Sequence, residues 1–121
     1  MLNKRKERPV IASITHGTAL PIETFQNNVL RPIIKMQHDV IISATQHQMK
    51  KMKLSKEGMS KDAFQKKLDH LFARNIAFKN LLIGLIIADF SPEEFETYEL
   101  HYPEYNRRIN TIIKKRVLDT I

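Results

Sequence analysis

The sequence predicts an all-α protein, a small bundle of three to four helices, on three observations. Apolar residues recur at three- and four-residue spacing over most of the chain from Ile22 onward, which is the period of an amphipathic helix. Two stretches carry helix-start chemistry, Ser60 with Asp62 and, more fully, Ser91-Pro92-Glu93-Glu94. Turn formers are scarce, with 3 Gly and 5 Pro among 121 residues, so a many-stranded β architecture has too few places to reverse direction. This length fits one domain. An irregular basic arm over 1–21 and a single helical domain over 22–121 are expected.

Residues 1–21 lack helical periodicity and contain Pro9, Gly17 and Pro21, so an extended or disordered arm is expected there. From Ile22 the stripe Ile22, Phe25, Val29, Ile33, Met36, Val40, Ala44 and His47, widened by Leu30, Ile34 and Ile41, predicts a helix to about Leu54. Pro32 lies inside it. Its ring removes a backbone donor and crowds the carbonyl four residues back, which predicts a kink or a break near residues 28–32. Gly58 suits the following loop. A second stripe then runs from Phe64 through Leu68, Leu71, Asn75, Phe78, Leu82 and Leu85, and its end, Leu81 to Ala88, is apolar nearly all round and expected to be the most buried element. Ser91 as N-cap, Pro92 at the first helical position and Glu94 at the third form a capping box, with Phe90 placed to staple onto Phe95. Pro103 opens a last helix with Tyr105, Ile109, Ile112, Ile113 and Val117 on one side. The first two helices would extend about 45–50 Å at 1.5 Å per residue. The last two are too short to cover them, which suggests homodimerisation.

There is no Cys, which removes disulfides, thiolate catalysis, Fe–S clusters and Cys-based zinc sites together. The longest apolar run, Leu81 to Ala88, falls far short of the roughly 20 residues of a membrane span. The cytoplasm is the expected location, with no membrane partner. The formal charge is +7 and unevenly spread: residues 89–106 hold six acids and no base, while 107–121 hold five bases and one acid. A basic chain is drawn to anionic surfaces such as nucleic acid. Two clusters could track a phosphate backbone, Lys50, Lys51, Lys53 and Lys56 (with Lys61) after the first long helix, and Arg107, Arg108, Lys114 and Lys115 (with Arg116) on the last. No aromatic interleaving accompanies them.

Five histidines are present, and none is paired as His-x-x-x-His. His38, Asp39 and His47 form the nearest polar cluster, but 38 and 47 point to opposite sides of one helix. The preferred reading is a surface His38, a core or interface His47, and no metal. Asn75 and Asp89 fall on the apolar stripe of the second helix, where a buried Asn can fix register. Asp89 sits in a last turn that is more often exposed. Phosphate-loop, nucleophile-elbow and Cys–His patterns are all missing. No cofactor is implied.

Three stretches, Phe25 to Asp39 (with Asn27-Asn28-Val29-Leu30-Arg31-Pro32), Gly84 to Tyr98 and Asn106 to Ile109, resemble a group of short, uncharacterised bacterial proteins, some of which carry the name glyoxalase. The resemblance covers most of the chain from residue 22 on. It implies a stable small helical domain and brings no catalytic residues. Glyoxalase chemistry does not suit these residues. Enzymes of the glyoxalase I type hold a metal on strands of βαβββ modules, and the metallo-hydrolase type needs a dense His/Asp motif. The leading functional expectation is therefore a non-enzymatic protein that acts through protein–protein contacts and self-associates. Sequence-independent nucleic-acid binding is the alternative, and an enzyme or metal site near His38, Asp39 and His47 the third.

Overall fold

The computed structural model describes residues 21–121, so the expected arm lies outside the described residues except for Pro21. The first helical run is continuous but not uniform. It winds as α1 (Ile22–Phe25), a π-helical turn (Gln26–Leu30) and α2 (Arg31–Met36), with Pro32 in the first turn of α2. The π turn is the local answer to the proline. Widening the helix by one residue, with the Arg31 amide donating back to the Gln26 carbonyl, moves the preceding carbonyls away from the ring. At Gln37 the winding loosens (φ −92°, ψ 9°), and α3 (His38–Lys51) follows. The extra residue displaces the buried face. Of the face expected there, Ile41 is buried and Ala44 packs against the core, while Val40 is 53% exposed and His47 is exposed; Thr45 and Met49 complete the buried line.

α3 ends in a Schellman turn. The Leu54 amide donates to the Met49 carbonyl at 2.9 Å, and the Lys53 amide to that of Lys50 at 3.1 Å. Lys53 takes the left-handed position (φ 57°) that glycine usually fills, while Gly58 occupies its own at φ 76°.

The count of three to four helices does not hold, although the all-α class does. The stretch read as one second helix is α4 (Lys61–Arg74) and α5 (Ile76–Ile87), which meet at 81°. The two long helices invoked for dimerisation are thus both interrupted, at Gln37 and at Asn75. Ser60 caps α4, accepting from the Ala63 amide at 3.1 Å. Asn75 caps α5 in the same way, its Oδ1 accepting from the Phe78 amide at 3.0 Å while its backbone is extended. Phe72 and Phe78 meet edge to face across the corner at 5.4 Å. Asn110, on the last helix, donates to the Phe72 carbonyl, satisfying one of the acceptors that the end of α4 leaves open.

α6 (Pro92–Leu100) begins with the full capping box. The Glu94 amide donates to Ser91 Oγ at 3.1 Å, and the Ser91 amide to Glu94 Oε1 at 2.8 Å. Phe90 turns to Tyr98 and Phe25 rather than to Phe95. α7 (Tyr102–Thr120) is the element the others share, packing against the π turn, α3, α4, α5 and α6. Its stripe Tyr105, Ile109, Ile113 and Val117 is fully buried. The core continues through Phe25, Val29, Leu30 and Ile33 on one side and Phe64, Leu68, Leu71, Phe72 and Leu82 on the other.

Two substitutions test this account of the helix ends. Asn75→Ala removes a cap and should cost about 1 kcal/mol in urea unfolding, whereas Asn75→Asp keeps most of it. Lys53→Gly relieves a left-handed non-glycine residue, and should raise stability by roughly 0.5–1 kcal/mol after glycine's larger unfolded-state entropy is deducted. A lower melting temperature for Lys53→Gly would overturn the Schellman assignment.

Candidate functional site

The basic clusters expected to bind phosphate differ in their commitments. Arg107 and Arg108 both hold Glu104, the latter through Nε at 2.6 Å, and Arg108 also donates to Gln26 Oε1 at 2.9 Å. Lys114 pairs with Asp69 at 3.2 Å and Lys115 with Asp119 at 3.3 Å. Lys56 reaches the Ile121 main-chain oxygen. Lys50, Lys51 and Lys53 are exposed and form no ion pair among the described residues. Charge is therefore polarised along α7, about 28 Å long. The acidic α6 packs on α7, with Tyr98 donating to Asn106 near its start, and the lysine-rich turn after α3 reaches its far end.

The polar set His38, Asp39, His47 and Asn75 does not converge. His47 is exposed, so of the core or interface position expected for it the core one does not hold; the π turn has moved the buried face past it. His38 is the half-buried one, with Nδ1 3.2 Å from an Arg116 guanidinium nitrogen. Asp39 is exposed, and Asn75 is a helix cap. Asp89 is buried rather than exposed, and it accepts from Gln37 Nε2 at 2.7 Å, tying the end of α5 to the loosened turn between α2 and α3. Among the described residues no three His, Cys, Asp or Glu side chains gather as a metal site would need.

Two surfaces stand out. The first is an open groove of about 620 Å³ between α2 and α7. Asn27, Arg31 and Lys35 recur every fourth residue on one wall, Ile112 and Arg116 lie on the other, and Pro32 and Met36 complete the lining. The two walls run in the same direction, since Gln26 meets Arg108 at one end and His38 meets Arg116 at the other. Arg31 donates through Nε to Asn27 Oδ1 at 3.1 Å. Among the described residues no carboxylate lies within ion-pair distance of Arg31, Lys35 or Arg116. Arg31 and Lys35 escaped the sequence reading, although the four-residue spacing of 27, 31 and 35 matches that of 108, 112 and 116 and was the available signal.

The second surface is the outward side of α5. The stretch expected to be most buried, Leu81 to Ala88, leaves Leu81 59% exposed, and Ile76 at the start of the same helix is 68% exposed, with Ala77, Asn80 and Gly84 between and beside them. Among the described residues, a Cβ added at Gly84 would meet nothing within 4 Å. Lys79 is the one charge on α5.

No family model, curated protein or solved structure matches this chain. Among the described residues no single helix is long and apolar enough to cross a membrane.

The clamp on Glu104 has a pH signature. Hydrogen bonds from Arg107 and Arg108 lower its pKa from 4.5 to about 2. A carboxyl held lower in the folded than in the unfolded chain contributes stability above the unfolded value and loses it as pH falls through the folded one. The urea midpoint of Glu104→Gln should therefore lie below that of the native chain at neutral pH. The gap should narrow below pH 4.5 and close by about pH 2. A gap independent of pH would dismiss the clamp.

Proposed function

We propose that this is a non-enzymatic helical protein that works through protein–protein contacts and self-associates as a two-fold dimer across the outward face of α5. One observation carries this reading: a helix in the middle of the chain presents Ile76, Ala77, Leu81 and Gly84 to solvent with no charge among them. Contiguous apolar surface on a soluble chain marks an interaction site far more often than isolated exposed residues do.

Gly84 sharpens the argument. Glycine inside a helix costs about 1 kcal/mol relative to alanine. The described residues offer no steric reason for it, since none of them lies within 4 Å of its Cβ position. A second helix crossing closely at that point supplies the reason. Charge supports a second copy as the occupant. Arg74 and Lys79 lie at the N-terminal end of α5, and Glu93 and Glu96 follow its C-terminal end. An antiparallel pairing of α5 with itself sets each basic end against an acidic one, and a two-fold axis makes both contacts at once.

Sequence-independent nucleic-acid binding is the second reading, favoured by the uncommitted Lys50, Lys51 and Lys53. Against it stands the engagement of Arg107, Arg108, Lys114 and Lys115 with neighbouring acids.

Sedimentation equilibrium from low to high micromolar protein tests the dimer. The mass should rise from one chain to two. Leu81→Lys should weaken association at least tenfold by burying an unpaired charge, about 1.4 kcal/mol or more. Gly84→Ala should stabilise the single chain yet weaken the dimer, separating helix propensity from packing. A mass of one chain at every concentration would sink the reading.

A further inference from the structure

We propose that the groove between α2 and α7 is a binding site for a small organic phosphate with a flat, apolar body, of which a nucleoside phosphate is the type. Three cations meet there, Arg31, Lys35 and Arg116, and among the described residues no carboxylate neutralises them. The contrast with the neighbouring turns of the same helix is sharp. On α7, Arg107, Arg108, Lys114 and Lys115 all have an acidic partner, and Arg116 alone faces a histidine. Like charges gathered without compensation repel one another, and an anion placed between them removes that repulsion.

The chemistry of the walls narrows the anion. Two guanidinium groups offer planar forks that match the oxygens of a phosphate, and an ammonium adds a third donor on a flexible stem. Arg116 is positioned for this. It can only donate, so its 3.2 Å approach to His38 Nδ1 is a hydrogen bond when the ring carries its proton on Nε2, and the bond holds one edge of the guanidinium while the other remains free. Arg31 is anchored likewise through Nε to Asn27, leaving its terminal nitrogens for a ligand.

Bare phosphate would leave most of the groove unused. Pro32, Met36 and Ile112 give it an apolar lining, and about 620 Å³ falls within the range of small-molecule sites. A methionine sulfur makes favourable contacts with aromatic rings. A flat heterocycle lying on Met36 and Pro32, with its phosphates toward the cations, uses both halves of the groove.

Calorimetric titration of the full chain with adenosine triphosphate, inorganic tripolyphosphate and adenosine tests the assignment, at low and moderate salt. The triphosphate nucleotide should bind with a micromolar to submillimolar Kd. Tripolyphosphate and adenosine should each bind at least about fivefold more weakly, because each lacks half of the recognised chemistry. Arg116→Gln should lower affinity about tenfold, and Lys35→Gln, at an exposed position that the fold does not need, should do so severalfold. Lys50→Gln with Lys51→Gln should change nothing. No binding at millimolar nucleotide, tripolyphosphate binding as tightly as the nucleotide, or equal losses from Lys35→Gln and from the Lys50/Lys51 pair would each overturn the proposal. Displacement of bound nucleotide by mixed-sequence RNA at far lower concentration would overturn it too, by assigning the groove to a polymer.

Discussion

A proline ring at position 32 has no N–H to donate and no room for the carbonyl four residues behind it. The chain resolves this before the proline rather than at it, by winding Gln26–Leu30 one residue wider than an α-helix. That single extra residue has consequences well beyond the turn. It rotates everything that follows by about 100° relative to an uninterrupted α-helix. Thr45 and Met49 then face inward beside Ile41, Val40 and His47 turn to solvent, and His38 comes to lie against Arg116. Without that rotation the cationic side of α2 would not lie along α7, and the groove would have one wall.

α7 supplies the common surface on which this arrangement rests. Its buried stripe meets the start of the described chain, through Phe25 against Tyr105 at 4.7 Å, and the middle of it through α4 and α5. Its flanks carry the fasteners. Glu104 holds Arg107 and Arg108, Arg108 holds Gln26, Asn110 holds the last turn of α4, and Lys114 holds Asp69. Exposed ion pairs contribute little one by one. Here their value is orientation: the Glu104 clamp lies within α7 beside the Arg108 bond to Gln26 of the π turn, and Asn110 and Lys114 both tie α4 to the same axis. Tyr105 shows what the packing tolerates: its ring fills the aromatic corner while its buried hydroxyl finds no protein partner among the described residues, and burial pushes its pKa up. Filling that corner with an aromatic ring outweighs an orphaned hydroxyl costing about 1–3 kcal/mol.

Most helix ends were legible from residues whose local chemistry marks a terminus. Ser60, Gly58 and the Ser91–Glu94 box sit as their residue types dictate, because capping is a local interaction within a few residues. Asn75 obeys the same chemistry but was hidden. Apolar residues continue at helical spacing on both sides of it, and a periodicity that survives an 81° corner cannot announce the corner. The burial of α5 was misjudged for a related reason. Hydrophobicity all round a helix implies that it can be buried, and nothing in its own sequence says that its neighbours are too few to cover it. The groove was partly legible in the matching four-residue spacings of its walls. What pairs them is tertiary: the π turn and the parallel run of two segments some eighty residues apart.

The two surfaces assigned here are informative through the residue types they lack. More than a quarter of the chain is charged, at 27%, and mixed charge is the ordinary condition of a soluble surface. Against that background a twelve-residue helix that shows solvent Ile76, Ala77, Leu81 and Gly84 is a departure, and so is a groove with three cations and no acid. Neither departure helps the single chain fold. The first exposes apolar area to water and the second gathers like charges, and both are relieved by an occupant of the opposite kind. A chain in which capping, core packing and ion pairing otherwise agree so closely is expected to break local rules mainly where something else must bind. On that argument the interface proposed on α5 and the one proposed in the α2–α7 groove are separate, since they violate different rules and call for partners that share no chemistry.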